Sequence, residues 1–571
     1  MNQKTKTEAE LSREKLVSEY TSLLEVLDTR AAGTAGMNFH GPRGDLIETL
    51  SYADMSAEGR ACAARLLALG LARGDRIGLL AETNGDFVRA FIGALYAGLV
   101  PCPVPLPPAF GDRKAYQQTL LGISRVAGFR VLLMPDEYAE LVRPSLAELD
   151  LDYAGPLSGL PVPASPVAVV PEPNDLAYLQ FSSGTTGAPK GVAVTHRSLM
   201  ANLSGMQMAL DVSSADHGVS WLPFYHDMGM VGCMLLPLAV QFEIDYLATR
   251  DFIRRPGLWL SMISRSGATM SYAPSFGYEL VARRAKAVDG LNLKTWRIAG
   301  IGGDMIRSGS LADFTSSYQP FGFDPNSFTP SYGMAELTLG LTFPAMRTGL
   351  RTHRIGSDAL AQGFARKAAE ADEKAREFAI CGRALPEHEV VVRLANGNAA
   401  APHQVGQIYA RGPSVMQGYF QDETTTSSIL DEDGWLDTGD LGFLDEAGEL
   451  TLTGRAKDLI IVNGRNVWPQ DVEWTMEQQI EGVRDGSVAA FSTEVVDGNA
   501  QEQLTVVIEH RGALNGGAET IVANADRLVR QVYQLTPVVA LARPGALPRT
   551  SSGKLSRNKA REMYLSGDFA Q

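Results

Sequence analysis

The chain has 571 residues, of which 45% are hydrophobic, 20% charged and 8% aromatic, a composition that excludes a disordered, collagen-like or fibrous protein. Its formal charge is −14, from 51 Lys and Arg against 65 Asp and Glu, which excludes a broad nucleic-acid surface. At roughly 150 residues per domain, the length suggests three or four folding units.

Residues 1–36 read as a polar extension with one helix, over Glu8–Thr29. From Leu50 to Pro108 the pattern predicts helix (Met55–Leu69), strand (Asp75–Leu80), helix (Gly85–Ala97) and strand (Leu99–Val104). That alternation argues for an α/β fold with parallel sheet and crossover helices. The proline-dense segment ending at Phe110 is expected to be extended. Strand and helix alternate again from Leu176 to Phe343. Gly349–Phe378 then breaks the pattern with a charged, Ala/Glu/Lys-rich stretch of helical propensity, which reads as an inserted element. Three strands follow (Glu389–Leu394, Gly406–Ala410, Glu449–Thr453), and a small α/β unit runs to the C-terminus from a boundary at Arg455–Asp458. Cys62, Cys102, Cys233 and Cys381 form no CxxC pair, so a disulfide framework or zinc site is not expected and a reducing compartment fits. The N-terminus lacks the apolar core of a signal peptide, and the longest apolar run, Met228–Val240, is too short to span a bilayer. A cytoplasmic location without stable membrane insertion is the expectation.

The most informative string is Leu179-Gln-Phe-Ser-Ser-Gly-Thr-Thr-Gly-Ala-Pro-Lys-Gly-Val192. An apolar strand enters a loop of glycines, hydroxyls and one lysine and leaves into a second β-branched stretch. Glycines let successive N–H groups converge on an anion, hydroxyls add donors, and Lys190 adds charge. A Walker loop needs Gly before its lysine, Ser or Thr after it, and then a helix. Here Pro189 precedes Lys190, Gly191 follows, and a strand comes next.

This string resembles the phosphate loop of the adenylate-forming enzymes, the superfamily of acyl-CoA synthetases, peptide-synthetase adenylation domains and luciferases. Four further segments resemble that superfamily's motifs in its order: Ser331-Tyr-Gly-Met-Ala-Glu336, Trp435-Leu-Asp-Thr-Gly-Asp-Leu-Gly442, Gly454-Arg-Ala-Lys-Asp458 and Pro548-Arg-Thr-Ser-Ser-Gly-Lys-Leu555. The resemblance implies a large N-terminal domain (37–455) of α/β subdomains plus a distorted β-barrel, and a small mobile α+β C-terminal domain (456–571). It implies a reaction in which a carboxylate attacks the α-phosphorus of ATP and pyrophosphate leaves, with Mg²⁺ as cofactor. Positioning and electrostatic stabilisation should dominate such chemistry.

By the same resemblance, Ser183, Thr185, Thr186 and Lys190 would hold phosphates, and Glu336 with Thr186 would hold Mg²⁺. Tyr332, Gly333 and Gly302-Gly303-Asp304 would line the adenine. Asp440 and Arg455 would hold the ribose, and Lys457 would be the hinge. Lys554 would bridge the substrate carboxylate and α-phosphate, then withdraw so that a thiol can enter. Each residue taken alone has a plainer reading: Glu336 as a helix-start acid, Asp440 as a turn residue, Lys554 as a solvated surface lysine.

Trp221-Leu-Pro-Phe-Tyr-His-Asp-Met-Gly-Met230 resembles a segment of the fatty acyl-AMP ligases, with His226 at the mouth of an acyl site; a structural histidine is the alternative. Gly349–Phe378 falls where that family carries an insertion that restrains domain motion and goes with poor use of coenzyme A. The segment Asp75–Pro108 resembles the same family's N-terminal part. The implied function is activation of a medium- or long-chain fatty acid to acyl-adenylate, followed by acyl transfer to the phosphopantetheine thiol of an acyl carrier protein on a separate chain. A fatty-acyl-CoA ligase is the nearest alternative. An amino-acid adenylation domain and a non-catalytic acyl-binding protein stand further off.

Overall fold

The computed structural model describes residues 16–30, 35–107, 113–163, 165, 168–183, 189–285, 290–370, 372, 375–462, 465–484, 486–494, 502–510, 517–549 and 555–570. Its backbone is organised by a seven-stranded sheet with the order Phe328–Pro330, Ile298–Ile301, Met270–Ala273, His217–Ser220, Glu243–Leu247, Gly36–His40, Leu46–Ser51. Neighbours pair parallel except for the last hairpin, whose strands are antiparallel. A second, parallel sheet follows the order Val100–Val104, Arg76–Leu80, Val131–Leu133, Tyr153–Gly155. One apolar core runs from Val17 to Leu450 through both.

Four antiparallel strands, Glu389–Arg393, Gly406–Arg411, Leu436–Leu444 and Leu450–Arg455, form a further sheet. From Ile460 onward a separate core gathers around the strands Val488–Glu494, Glu502–Glu509 and Val538–Ala542 and the helix Ala518–Tyr533. Among the described residues no helix is long and apolar enough to cross a membrane.

The strands and helices predicted between residues 50 and 104 occur within about three residues of their predicted bounds, as Tyr52–Leu67, Arg76–Leu80, Gly85–Tyr96 and Val100–Val104. Near the N-terminus the described residues hold a helix over Leu23–Arg30 and a 3₁₀ turn over Val17–Glu19. Ser22 Oγ accepts from the Glu25 N–H at 3.2 Å and Glu25 reaches back to the Thr21 N–H at 2.8 Å, a capping arrangement that starts the helix there. This segment is polar on one side only. Val17, Leu23, Leu24, Val26 and Leu27 are buried in the main core.

Gly349–Phe378 is not the helix its composition predicts. It is a hairpin, Thr352–Ile355 with Arg376–Ala379, enclosing one short helix, Ser357–Ala361. Tertiary packing overrides propensity here: Ile355, Leu360, Ala365 and Phe378 are buried against Phe443 and against Trp468, which lies beyond the Arg455 turn. Arg376 Nε sits 2.5 Å from Asp471 Oδ1, both side chains being largely buried. Asp471 belongs to the helix Pro469–Gln479, so the insertion is tied to the C-terminal part by an ion pair as well as by apolar contact. Burial pushes the Asp471 carboxyl up to about 6.

A carboxyl whose pKa is raised by folding favours the fold when protonated, and that stability is lost as pH rises through about 6. Arg376→Met removes the cation and leaves the carboxylate buried alone, a loss of about 3–5 kcal/mol. Amide exchange in Pro469–Gln479 is therefore expected to speed up strongly at pH 8 and much less at pH 5. An equal effect at both pH values contradicts this account of the pair.

Candidate active site

The motif loops emerge from the carboxyl ends of the parallel strands in the seven-stranded sheet, where open α/β sheets place their ligands. His217–Ser220 leads to the Trp221–Met230 loop, Ile298–Ile301 to Gly302-Gly303-Asp304, and Phe328–Pro330 to Ser331–Glu336. Gly303 has φ +80°, a left-handed turn that suits glycine. A Cβ on Gly302 would stand 3.1 Å from the Ser331 carbonyl oxygen, so glycine lets these two loops close on each other. Asp304 is exposed and its Oδ1 accepts from the Met305 N–H at 2.8 Å.

The expected strand–loop–strand is present as Leu176–Ser183 paired antiparallel with Pro189–Thr195, with Ser183 opposite Pro189 and Ser182 opposite Lys190. Thr185, Thr186 and Lys554 lie outside the described residues. On the other edge of Pro189–Thr195 the short strand Gly418–Tyr419 pairs, with Tyr419 opposite Val192. Lys190 Nζ then lies 4.6 Å from the centre of the Tyr419 ring, and the Tyr419 hydroxyl donates to Glu336 Oε1 at 2.8 Å. Ammonium, phenol and carboxylate thus form one connected row. Glu336 is 8% exposed. Burial pushes its carboxyl up, against the Tyr419 hydrogen bond, and the Asp227 carboxylate raises it further.

A second buried carboxylate lies in the four-stranded sheet. Asp440, in Leu436–Leu444, is opposite Arg455, in Leu450–Arg455. Its Oδ2 accepts from the Tyr332 hydroxyl at 2.6 Å and its Oδ1 from Arg455 Nε at 3.1 Å. Asp440 is 6% exposed while the Arg455 side chain is 59% exposed. The arginine therefore partners a buried anion and faces outward. Lys457 follows in the 3₁₀ turn Ala456–Asp458, where Asp458 pairs with Arg557 at 2.7 Å. The Gly333 backbone lies so near Leu339 that a Cβ would overlap its carbonyl oxygen at 1.8 Å.

His226 Nδ1 is 2.6 Å from Asp227 Oδ1, which also accepts from the Met228 N–H at 2.7 Å. Gln180 Nε2 donates to the Tyr225 carbonyl at 2.7 Å and fixes this loop to the phosphate-loop strand. Beyond it, the buried helical segment Met228–Val240 packs over the sheet. A narrow, nearly apolar crevice of only about 10 Å³ between them is lined by Val219, Cys233, Met270 and Tyr272, among others. Tyr272 lies flat across Gly300, where a Cβ would stand 2.2 Å from its ring.

Sequence reasoning brought together Lys190, Glu336, Tyr332, Asp440 and Arg455, but missed three features. Tyr419 stands alone in a stretch without a motif. The second is Asp227, which pairs with His226. The third is the backbone after Glu336. Thr338, fully buried, has φ +69° and ψ −56°, and the Leu339 N–H donates to the Leu337 carbonyl at 2.8 Å. This is a γ-turn of positive φ, a strained form for a β-branched residue. It is over-determined by its surroundings. Thr338 Oγ1 donates to the Ser414 carbonyl at 2.9 Å. Asn202 Nδ2 donates to the carbonyls of Leu337 and Gly340, and Asn202 Oδ1 accepts from the Gly340 N–H. The Met416 N–H donates to the Glu336 carbonyl at 2.9 Å.

If the turn is strained, Thr338→Gly should cost less stability than Thr338→Ala, since both lose the Ser414 hydrogen bond but only glycine relieves about 1–3 kcal/mol of backbone strain. Asn202→Ala should cost on the order of 2–3 kcal/mol by leaving buried carbonyls unpaired. Melting temperatures of the three variants decide it. A Thr338→Gly variant less stable than Thr338→Ala contradicts the strain.

Residues 31–420 match the family model described as AMP-binding enzyme. The chain is 44% identical to a putative acyl-CoA synthetase of Caulobacter vibrioides, covering 97% of this chain and 96% of that one. It is 31% identical to the medium-chain-fatty-acid–[acyl-carrier-protein] ligase JamA of Moorena producens, over 97% and 96% of the two chains. A structure from a study of fatty acyl-adenylate ligases of E. coli and L. pneumophila superposes with TM-score 0.91 at 38% identity, over 97% of this chain and all 100% of that one.

Proposed function

The chain belongs to the AMP-binding enzyme family and, within it, to the fatty acyl-AMP ligases, and on that premise we propose how its residues carry the reaction and where the acyl group goes. The enzyme activates a fatty acid with ATP, giving acyl-adenylate and pyrophosphate. The observation that carries the assignment of roles is the pair of buried carboxylates, Glu336 and Asp440, each already satisfied by a tyrosine hydroxyl.

Asp440 and Arg455 hold the ribose, a carboxylate having acceptor capacity left after two bonds. Tyr332, Gly333 and Gly302-Gly303-Asp304 border the adenine, and Ser183, Thr185, Thr186 and Lys190 hold the phosphates. Glu336 fits Mg²⁺: a hard oxygen donor, buried, with its carboxyl pushed up by burial, gains most from a cation. No cluster of three or more His, Cys, Asp or Glu that could hold a metal exists among the described residues. Glu336 and Thr186 would hold the ion, a hard cation suited to oxygen donors. Bound there, Mg²⁺ would neutralise phosphate charge. The fatty acid carboxylate attacks the α-phosphorus, the bond to the bridging oxygen breaks, and pyrophosphate leaves. Lys554 lowers the repulsion between the two anions. His226, oriented by Asp227, stands at the acyl mouth, and the apolar residues of Met228–Val240 and Tyr272–Tyr278 border the acyl chain.

Residues 456–571 act as a small domain that turns at Lys457, withdrawing Lys554 so that the phosphopantetheine thiol of a separate acyl carrier protein can reach the adenylate. The name of the Moorena relative supports a carrier as acceptor; that of the Caulobacter relative keeps coenzyme A as the alternative. The protein acts in the cytoplasm.

The test is fatty-acid-dependent release of pyrophosphate from ATP. Lys554→Ala should lose about 10²–10³-fold in rate while binding ATP as before. A wild-type rate in that variant removes the lysine's role, and no fatty-acid-dependent release by the unaltered enzyme removes the activity itself.

A further inference from the structure

Two helices beside the site carry a surface at odds with the rest of an acidic chain. The helix Thr249–Arg254 ends in Ile253-Arg254-Arg255, all exposed, Ile253 by 48%. The helix Ser275–Arg284 begins with Phe276, 40% exposed, and ends in Arg283-Arg284, also exposed. Phe276 and Arg283 are seven positions apart and so share a helix face. The two basic ends adjoin: a Cβ on Gly257 would stand 3.5 Å from that of Ala285. Arg283 is paired with Glu279 at 3.3 Å, whereas Arg254, Arg255 and Arg284 form no ion pair among the described residues.

The patch opens onto the site from two sides. Ser275 Oγ, next to Phe276, lies 3.5 Å from the Met305 carbonyl and 3.4 Å from the Arg307 nitrogen in the loop after Asp304. The Phe276 ring is 5.7 Å from Trp221, which starts the His226 loop and stacks on Phe252 at 3.8 Å. Arg307 in turn pairs with Glu477 of the C-terminal part at 3.3 Å. The patch thus borders the seam through which a thiol acceptor must enter.

We propose that Arg254, Arg255 and Arg284, around Ile253 and Phe276, dock the acyl carrier protein by an acidic, partly apolar face. The proposal rests on the carrier being the acceptor. Charge complementarity selects this partner. With a Debye length of about 8 Å at physiological salt, a small acidic protein seated here meets mainly these arginines. An anionic membrane is broad enough to meet the chain's net charge of −14 as well. Docking delivers the thiol. Sulfur bonds to the acyl carbon, the carbon–oxygen bond to AMP breaks, AMP leaves with the electron pair, and the thiol proton passes to solvent.

The experiment measures acylation of a net-negative acyl carrier protein in its phosphopantetheinylated form, with fatty-acid-dependent pyrophosphate release as the control. Unaltered enzyme is compared with R254E/R255E/R284E and with Ile253→Ser. The triple variant should raise the carrier KM at least about tenfold and abolish its increase with salt. Its kcat and its adenylate formation should stay unchanged; Ile253→Ser should raise KM by less. An unchanged carrier KM overturns the docking surface, and so does a variant altered only in binding to phosphatidylglycerol vesicles, which would make the patch a membrane contact. Unaltered enzyme that forms adenylate but acylates no carrier overturns the acceptor reading, and this surface with it.

Discussion

Removing two carboxylates from water is the constraint on which the site is built. An ionised carboxylate buried without partners is prohibitively unfavourable, so Glu336 and Asp440 each require donors from elsewhere in the chain. Tyr419 supplies one and is held by its pairing to the phosphate-loop strand. Tyr332 and Arg455 supply the other, from two different sheets. Segments far apart in sequence must therefore meet at one place for either acid to be tolerated. The partners satisfy the acids yet leave them acceptor capacity, which in the proposed roles lets a chain of net charge −14 handle a triphosphate locally.

The same economy explains the strained turn. Glu336 sits one turn before Thr338, and the main chain around it is clamped by Asn202, Ser414 and Met416. Strain of this kind persists only where the surroundings over-determine it, and here they fix the approach of the carboxylate to Tyr419. Across the seam the ties are different. A Cβ at Gly454 would stand 2.4 Å from the Trp468 ring, Arg307 pairs with Glu477, and Arg376 with Asp471. The turn proposed for the C-terminal part at Lys457 would have to break or slide these contacts. Buried ion pairs suit that role, because their Coulomb gain is largely offset by desolvation.

Much of this was legible in the sequence, for identifiable reasons. The phosphate loop, Tyr332–Glu336 and Asp440–Arg455 are local strings that stand out by their resemblance to known motifs, and strand and helix patterns placed the elements between residues 50 and 104. Tyr419 was not legible, because an isolated tyrosine acquires its role only through strand pairing with residues more than 200 positions away. The γ-turn at Thr338 was hidden because threonine at positive φ runs against its own propensity. Gly349–Phe378 misled in the opposite sense: its alanines and charges favour a helix, but the four residues that pack on Phe443 and Trp468 require a hairpin.

The central claim is that the enzyme stops at acyl-adenylate unless a carrier thiol takes the acyl group. It is tested most directly by incubating the protein with ATP, Mg²⁺, saturated fatty acids of several lengths and coenzyme A, and reading the products by mass spectrometry. Acyl-AMP accumulating with little acyl-CoA is the result the account predicts. Efficient formation of acyl-CoA would contradict it.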